Sequence, residues 1–323
     1  MKVLVTGGGG FLGQGVARAL LARGGLADEP GGTTRLDELV LFDQAFGANA
    51  LDDERVKRVG GDIVDRDLVS EVCRDADAVF HLASVVSAGA EADFDLGMRV
   101  NVDGMRTVLE ACRAHSSLPR LVFTSSVAAF GGELPQTVVD TTAATPRSSY
   151  GTQKVIGELL VNDYTRKGYL DGRAIRLPTI VIRPGKPNRA ASGFMSNILR
   201  EPLAGEAAVC PVPEDARMWI ASPRRAIDAL IHAMELDESA WGAHRTLNAP
   251  GITVSVAQAL EALERVAGRE ARARVRFERD PGIERIVLSW PAAFDTARAD
   301  RLGFRRDESI EDIVRMHAAA SNA

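Results

Sequence analysis

Thr6-Gly7-Gly8-Gly9-Gly10-Phe11-Leu12-Gly13 stands between a short apolar run, Lys2–Thr6, and a segment whose apolar residues repeat at helical spacing. The run is typical of a strand buried on both faces of a parallel sheet. Glycines in a strand-to-helix turn leave the backbone open, and the helix N-terminus attracts the negative charge of a pyrophosphate. A glycine-rich turn without a ligand is the competing interpretation. The position of the turn favours a dinucleotide loop formed by Gly7, Gly10, Phe11, Leu12 and Gly13.

Strands and helices alternate through the first half of the chain, which predicts an α/β fold with a doubly wound parallel sheet of the Rossmann type. The predicted sheet strands are Lys2–Thr6, Leu39–Phe42, Val56–Val59, Ala78–Leu82, Leu121–Thr124, Ala174–Leu177 and Arg245–Asn248.

The pattern loosens after strand six, in a stretch broken by proline and glycine at 178–188. We expect residues 1–177, together with about 221–250, to form a nucleotide-binding domain. Residues 178–220 and 251–323 are then a smaller, interrupted substrate-binding cap.

Two further segments carry local expectations. The insert Gly24–Asp37 is predicted to be a longer surface loop, and Thr253–Val266 is predicted to be helical.

Composition excludes several classes of protein. The net charge of −5 gives no electrostatic basis for binding nucleic acid or an anionic membrane. The arginines of 265–285 are interleaved with apolar and acidic residues, which favours a solvated face. Apolar runs fall short of the ~18 residues of a membrane span. We therefore expect a small-molecule partner and neither nucleic acid nor a membrane.

The three cysteines, Cys73, Cys112 and Cys210, are odd in number and widely separated. They match neither metal-ligand spacing nor a disulfide framework. The first strand begins at Lys2, which leaves no room for a cleavable signal peptide. We expect a cytoplasmic protein without a bound metal.

Tyr150 and Lys154 are four residues apart, so they share one face of a predicted helix. A phenol is a poor base, with an ordinary pKa of about 10, and a neighbouring ammonium stabilises its phenolate. Ser125 and Ser126 end strand five, where ligands of parallel sheets bind. Capping of the next turn is the competing role for these serines. The combination predicts that Ser126, Tyr150 and Lys154 catalyse proton transfer during hydride transfer.

Asp43 ends the second sheet strand, where its carboxylate can accept hydrogen bonds from ribose hydroxyls. The same charge would repel a 2′-phosphate, so NAD is favoured over NADP, although Asp43 lies farther from the glycines than the usual ~20 residues. An ordinary surface aspartate is the alternative. Further predicted cofactor contacts follow strands three and four: Asp62, Ile63, Leu82, Ala83 and Ser84. His81, just before them, is read as a packed core residue.

These motifs together resemble the extended short-chain dehydrogenases/reductases over residues 1 to about 250. The resemblance implies that Ser126 orients the reacting oxygen, Tyr150 is the acid/base, and Lys154 binds the ribose and tunes the tyrosine. It also implies a backbone contact from Pro178 to the nicotinamide carboxamide and a supporting role for Asn101. A homodimer through the helices before strand five and after Tyr150 is implied as well.

The choice of substrate depends on weaker signals. Val127 and Ala128 stand where the dehydratases of this family carry Asp and Glu, so elimination is disfavoured. The segments Gly193–Leu203, Pro211–Pro213 and Ala221–Arg224 are similar to the D-erythronate dehydrogenase subfamily, which implies NAD-dependent oxidation of the C2 hydroxyl of a four-carbon sugar acid.

A small sugar acid needs a cation for its carboxylate and partners for its hydroxyls. Arg217 is the candidate for the carboxylate, and Ser84, Ser125 and Asn197 are candidates for the hydroxyls. Two alternatives stay open: a nucleotide-sugar 4-epimerase that retains NAD, and a regulator that senses the dinucleotide without chemistry.

Overall fold

The computed structural model describes residues 1–28, 31–47, 51–115, 117–185 and 191–321. Its strands are β1 Lys2–Thr6, β2 Gly25–Asp28, β3 Gly32–Arg35, β4 Glu38–Asp43, β5 Val56–Gly60, β6 Ala78–His81, β7 Arg120–Ser126, β8 Asp171–Leu177, β9 Thr179–Ile180, β10 Ala208–Cys210, β11 Arg217–Ala221, β12 Thr246–Asn248, β13 Ile252–Ser255 and β14 Val275–Phe277. Its α-helices are α1 Phe11–Arg23, α2 Arg66–Cys73, α3 Ser87–Ala92, α4 Phe94–Gly97, α5 Gly104–Arg113, α6 Ser149–Arg166, α7 Gly193–Leu203, α8 Pro223–Glu235, α9 Glu238–Trp241, α10 Val256–Ala273, α11 Pro281–Val287, α12 Ala297–Arg301 and α13 Ile310–Ser321. A π-helical segment covers Met98–Asp103, and a 3₁₀ turn covers Val127–Ala129.

Seven strands form one parallel sheet in the order β12-β8-β7-β6-β1-β4-β5. The chain runs outward from β1 through β4 to β5, then returns to the other side of β1 with β6. A doubly wound sheet opens a crevice at the carboxyl ends of its strands where the order reverses, here between β1 and β6. The predicted fold class is confirmed.

The central strands bury both of their faces. Val3 and Val5 join one hydrophobic cluster, which α1 and α8 cover, whereas Leu4 between them joins the cluster under α2 and α5. Alternate residues of a strand point to opposite faces, so a nearly continuous apolar run is what a sheet between two helical layers requires.

A separate hydrophobic cluster lies later in the chain, under α7, α10 and α13. It packs against the small sheet β13-β11-β9. The last part of the chain contributes to both clusters. Residues of α13 pack into this one, whereas Ala299 and Phe304 pack into the cluster on the central sheet.

Two local predictions were wrong. The predicted loop 24–37 contains an antiparallel pair, β2 with β3, although residues 29 and 30 lie outside the described part of the chain. The predicted helix at 253–266 begins only at Val256, because Ile252–Ser255 pairs antiparallel with β11. Ser255 then caps α10 through a reciprocal bond with Gln258.

Candidate active site

A cavity of about 510 Å³ opens at the carboxyl ends of β1, β4, β6, β7 and β8. It brings together most of the residues predicted to hold a cofactor or to catalyse. The predicted residues on its wall are Gly7, Gly10, Phe11, Leu12, Gly13, Asp43, Ile63, Leu82, Ala83, Ser84, Ser125, Ser126, Tyr150, Lys154 and Pro178. Four predicted residues are absent from that wall: Asp62, Asn101, Asn197 and Arg217.

The glycines of the first turn serve two different needs. Gly7 has a φ of +71°, and a Cβ there would lie 2.7 Å from the Ala83 amide nitrogen. A Cβ on Gly13 would lie 2.3 Å from the Gly7 carbonyl oxygen. A Cβ on Gly10 would meet that oxygen only at 3.3 Å and would face the cavity. Gly7 and Gly13 are therefore required by packing, whereas Gly10 leaves open space, as a bound pyrophosphate needs.

Asp43 lies beside the glycine turn, at the end of β4. Its Oδ2 accepts a hydrogen bond from the Gly9 amide at 2.9 Å, which fixes the carboxylate against the glycine turn. Its remaining lone pairs are available to ribose hydroxyls. Together with the room at Gly10, this donor and acceptor set fits a dinucleotide.

Asp62 and Ile63 separate in the structure. Ile63 lines the cavity, whereas the Asp62 carboxylate forms an ion pair with Arg99 and accepts a hydrogen bond from the Val64 amide at 3.2 Å. The predicted cofactor contact of Asp62 therefore competes with two partners that the carboxylate already has.

Helix α6 presents Tyr150 and Lys154 to the cavity. Ser148 caps the helix by accepting a hydrogen bond from the Gly151 amide at 3.1 Å, so Tyr150 lies in its first turn. The Lys154 Nζ is 5.4 Å from the centroid of the Tyr150 ring and 4.9 Å from that of Phe123. The structure thus brings the two side chains to one place, as their spacing predicts.

Burial opposes charge on both groups. It raises the pKa of Tyr150 to about 12, while the charge of Arg183 and a hydrogen bond with Ser126 act in the lowering direction. Burial lowers the pKa of Lys154 to about 7, against the opposing effect of Glu158. The pair is therefore poised for proton transfer only when charge enters the cavity.

The two serines at the end of β7 have different surroundings. Ser126 Oγ accepts a hydrogen bond from the Ala128 amide at 3.1 Å and lies beside Tyr150. Ser125 donates to Glu158, which is also held by Arg176 through bonds of 2.8 and 2.7 Å. Ser126 thus faces Tyr150, whereas the Ser125 hydroxyl gives its proton to Glu158 and can only accept a further bond.

Asn101 supports the cavity from behind. Its Oδ1 accepts hydrogen bonds from the Ser84 hydroxyl at 3.0 Å and the Val85 amide at 2.8 Å. Its Nδ2 donates to Gln153 Oε1 at 2.7 Å. The side chain therefore joins the segment after β6 to helix α6.

His81, just before that segment, is buried and accepts or donates a bond with Thr6 Oγ1 at 2.7 Å. Burial lowers its pKa to about 3, so this histidine is uncharged and belongs to the core.

Arg217 and Asn197 are not brought into the cavity. The exposed Arg217 begins β11 and borders a much smaller cavity, which shares the wall residues Val127, Thr179 and Trp290 with the main one. Asn197 lies on α7, and its Oδ1 accepts a hydrogen bond from Arg200 at 2.9 Å.

The arginine that does line the main cavity is Arg183, which sequence reasoning missed. It stands in the proline- and glycine-broken stretch 178–188, of which 186–188 lie outside the described residues. A lone arginine in such a stretch carries no periodic signal.

Neither a cluster of metal ligands nor a helix that could span a membrane occurs among the described residues. No three His, Cys, Asp or Glu side chains come together as a metal site there. None of the helices in that part of the chain has the length and apolar character needed to cross a bilayer.

Comparison with known proteins gives concordant matches. Residues 3–243 match the model of the NAD dependent epimerase/dehydratase family. A D-erythronate dehydrogenase of Cupriavidus necator is 51% identical over 318 residues, covering 98% of each chain. A D-erythronate dehydrogenase of Haemophilus influenzae is 45% identical over 97% of this chain and 98% of its own. The crystal structure of a nucleoside-diphosphate-sugar epimerase from Agrobacterium tumefaciens has a TM-score of 0.91 and 42% identity, covering 99% of this chain and 94% of that one.

Proposed function

This chain belongs to the NAD dependent epimerase/dehydratase family, and from that membership and its cavity we propose that it oxidises D-erythronate to 2-dehydro-D-erythronate with NAD. One observation carries the proposal: Ser126, Tyr150 and Lys154 meet on the wall of one cavity beside the glycine turn. Relatives named for this activity are similar over almost the whole chain.

The cofactor extends along the crevice from β4 to β8 in this proposal. The pyrophosphate lies on the turn at Gly10, and Asp43 accepts hydrogen bonds from the adenosine ribose. The backbone of Pro178 meets the carboxamide, and Lys154 binds the nicotinamide ribose. The other wall residues that contact the cofactor are Gly7, Phe11, Leu12, Gly13, Ile63, Leu82, Ala83 and Ser84.

Bound NAD⁺ supplies the hydride acceptor and a positive charge. Tyr150 takes the proton of the C2 hydroxyl as that carbon becomes a carbonyl. Lys154 stabilises the phenolate by its charge. Ser126 donates a hydrogen bond to the reacting oxygen and holds it beside Tyr150.

Replacement of Tyr150 tests this mechanism. Tyr150→Phe removes the proton acceptor and leaves the cofactor contacts, so kcat falls at least ~100-fold while NAD still binds. Initial rates of NADH formation and calorimetric titration with NAD measure the two effects. Tyr164→Phe, on the same helix but bonded to Glu110 outside the cavity, is the matched control. Near-normal turnover by Tyr150→Phe would contradict the mechanism.

A 4-epimerase is the second candidate, because the Agrobacterium tumefaciens protein at 42% identity is named an epimerase. An epimerase returns the hydride to its substrate and forms no net NADH. Net NADH formation therefore separates the two activities. The dehydrogenase proposal is favoured because the relatives with the higher identity are named dehydrogenases.

We also propose a homodimer formed through α5 and α6. Leu159 on α6 is 65% exposed, so this helix offers an apolar side chain to a partner. A monomer mass in sedimentation equilibrium would contradict this assembly.

The remaining proposals concern the division of the chain and its compartment. We propose that 1–177 with about 221–250 bind NAD and that 178–220 and 251–323 enclose the sugar acid; the separate cluster under α7 and α10 supports this.

We place the protein in the cytoplasm, which the three free cysteines fit. Cell fractionation tests the compartment.

A further inference from the structure

Arg183 lines the main cavity, and no carboxylate pairs with it in the described part of the chain. Arg173 and Arg245 share Asp171, and Arg176 binds Glu158. Enclosed cations are normally paired, because removing a charge from water is costly. An unpaired guanidinium on a cavity wall therefore indicates that its anion arrives with a ligand.

The guanidinium is held in place while much of it stays available. Its Nε donates to the Ile180 carbonyl at 3.0 Å, and its Nη2 donates to Ser192 Oγ at 2.6 Å. The Arg183 carbonyl in turn accepts a bond from Arg200 at 2.8 Å. A guanidinium has five N–H donors, and these bonds use two of them. The three that remain are enough for a bidentate pair with a carboxylate.

The position of the charge relates it to the reacting centre. Arg183 and Tyr150 line the same cavity, and the charge of Arg183 acts in the lowering direction on the pKa of Tyr150. A carboxylate bound to Arg183 therefore occupies the same cavity as a hydroxyl bound to Tyr150. A 2-hydroxy acid has these two groups on adjacent carbons.

We propose that Arg183 binds the substrate carboxylate and thereby selects acids whose reacting hydroxyl is vicinal to that carboxylate. The proposal rests on the proposed function and replaces Arg217 in this role. Arg183 binds the carboxylate equally before and after oxidation, so its loss acts mainly on KM. The substrate discrimination of the enzyme then depends on this one side chain.

The test compares D-erythronate with erythritol, a neutral polyol of the same length, in steady-state kinetics. Arg183→Gln raises KM for D-erythronate about 10- to 100-fold, because a charge-assisted pair is lost. The smaller activity with erythritol changes much less. Arg183→Lys keeps the charge but not the planar fork, so its loss is intermediate. Arg224→Gln, an exposed arginine of α8, is the control, and calorimetric binding of NAD reports that each variant is folded.

Three results would overturn the proposal. Arg183→Gln could leave KM for D-erythronate unchanged. It could reduce activity equally with erythritol, which would mean that it acts only through Tyr150. The rise in KM for D-erythronate could also occur in Arg217→Gln and not in Arg183→Gln.

Binding measurements separate this proposal from the choice of substrate. Aldonates of three to six carbons are titrated into NAD-loaded Tyr150→Phe, with and without Arg183→Gln. If D-erythronate does not bind but another aldonate binds in an Arg183-dependent way, the substrate assignment fails and the role of Arg183 stands. If no aldonate binds, both fail.

Discussion

At the scale of single residues, Lys154 carries the largest conflict between stability and function. It is 2% exposed, and burial lowers its pKa to about 7 in the folded chain. A lysine in the unfolded chain keeps a pKa near ~10.4. Between these two pH values the unfolded chain binds a proton that the folded chain lacks, so the contribution of Lys154 to stability improves as pH rises. Below about pH 7 the full cost of burying the ammonium is present.

This conflict predicts that Lys154→Met abolishes turnover yet stabilises the protein. The free energy of unfolding exceeds that of the wild type most at pH 6, by a few kcal/mol at about 1.4 kcal/mol for each pKa unit. The difference shrinks as pH rises from 7 towards 10. Urea unfolding at pH 6, 8 and 10 measures it, with the exposed Lys57→Met as control. If the difference in free energy of unfolding between Lys154→Met and the wild type does not change with pH, burial does not lower the pKa of Lys154 as inferred here.

The sequence predicted the residues that belong to spaced motifs. Tyr150, Lys154 and Ser126 meet because helical spacing and a strand end determine where such side chains lie. Arg183 had no such signal, since its place depends on the path of the chain after β9 of the small sheet. Arg217, the arginine that the sequence suggested, does not line the main cavity, because β11 places it at an exposed end of the small sheet.

At the scale of elements, the turn between β1 and α1 combines packing glycines with a ligand glycine. Gly10 caps α1 with a φ of −75°, which any residue can adopt. The fold therefore tolerates a side chain at Gly10 better than at Gly13, where a methyl group would meet backbone at 2.3 Å.

The two glycines are consequently expected to fail in different ways. Gly10→Ala raises the Kd for NAD on the order of tenfold, because the methyl group occupies cofactor space, with little change in Tm. Gly13→Ala lowers the free energy of unfolding by about 1–3 kcal/mol through overpacking. Calorimetric NAD titration and thermal unfolding of both variants test this. Equal loss of stability in the two would contradict the division of roles.

Elements that depend on strand pairing were the ones that sequence periodicity missed. Thr253 and Val254 fit a helical stripe, yet β-branched residues also suit a strand, and pairing with β11 decides the outcome. The hairpin β2–β3 likewise depends on cross-strand pairing, which an insert with polar and glycine-rich composition does not reveal.

At the scale of the whole molecule, the central sheet and the later hydrophobic cluster meet around one cavity. The sheet supplies the glycine turn and the Ser126–Tyr150–Lys154 group, and the segment after β9 supplies Arg183. The sheet could be predicted because each strand is locally apolar. The cap could not, since its small sheets join segments far apart in the sequence.

The central claim is that this arrangement oxidises D-erythronate with NAD. The most direct test follows NADH formation by the purified wild type with D-erythronate, other aldonates and nucleotide sugars. We predict stoichiometric NADH and 2-dehydro-D-erythronate, preference for NAD over NADP, and no reaction with nucleotide sugars. No NADH from D-erythronate, together with 4-epimerisation of a nucleotide sugar, would contradict the account.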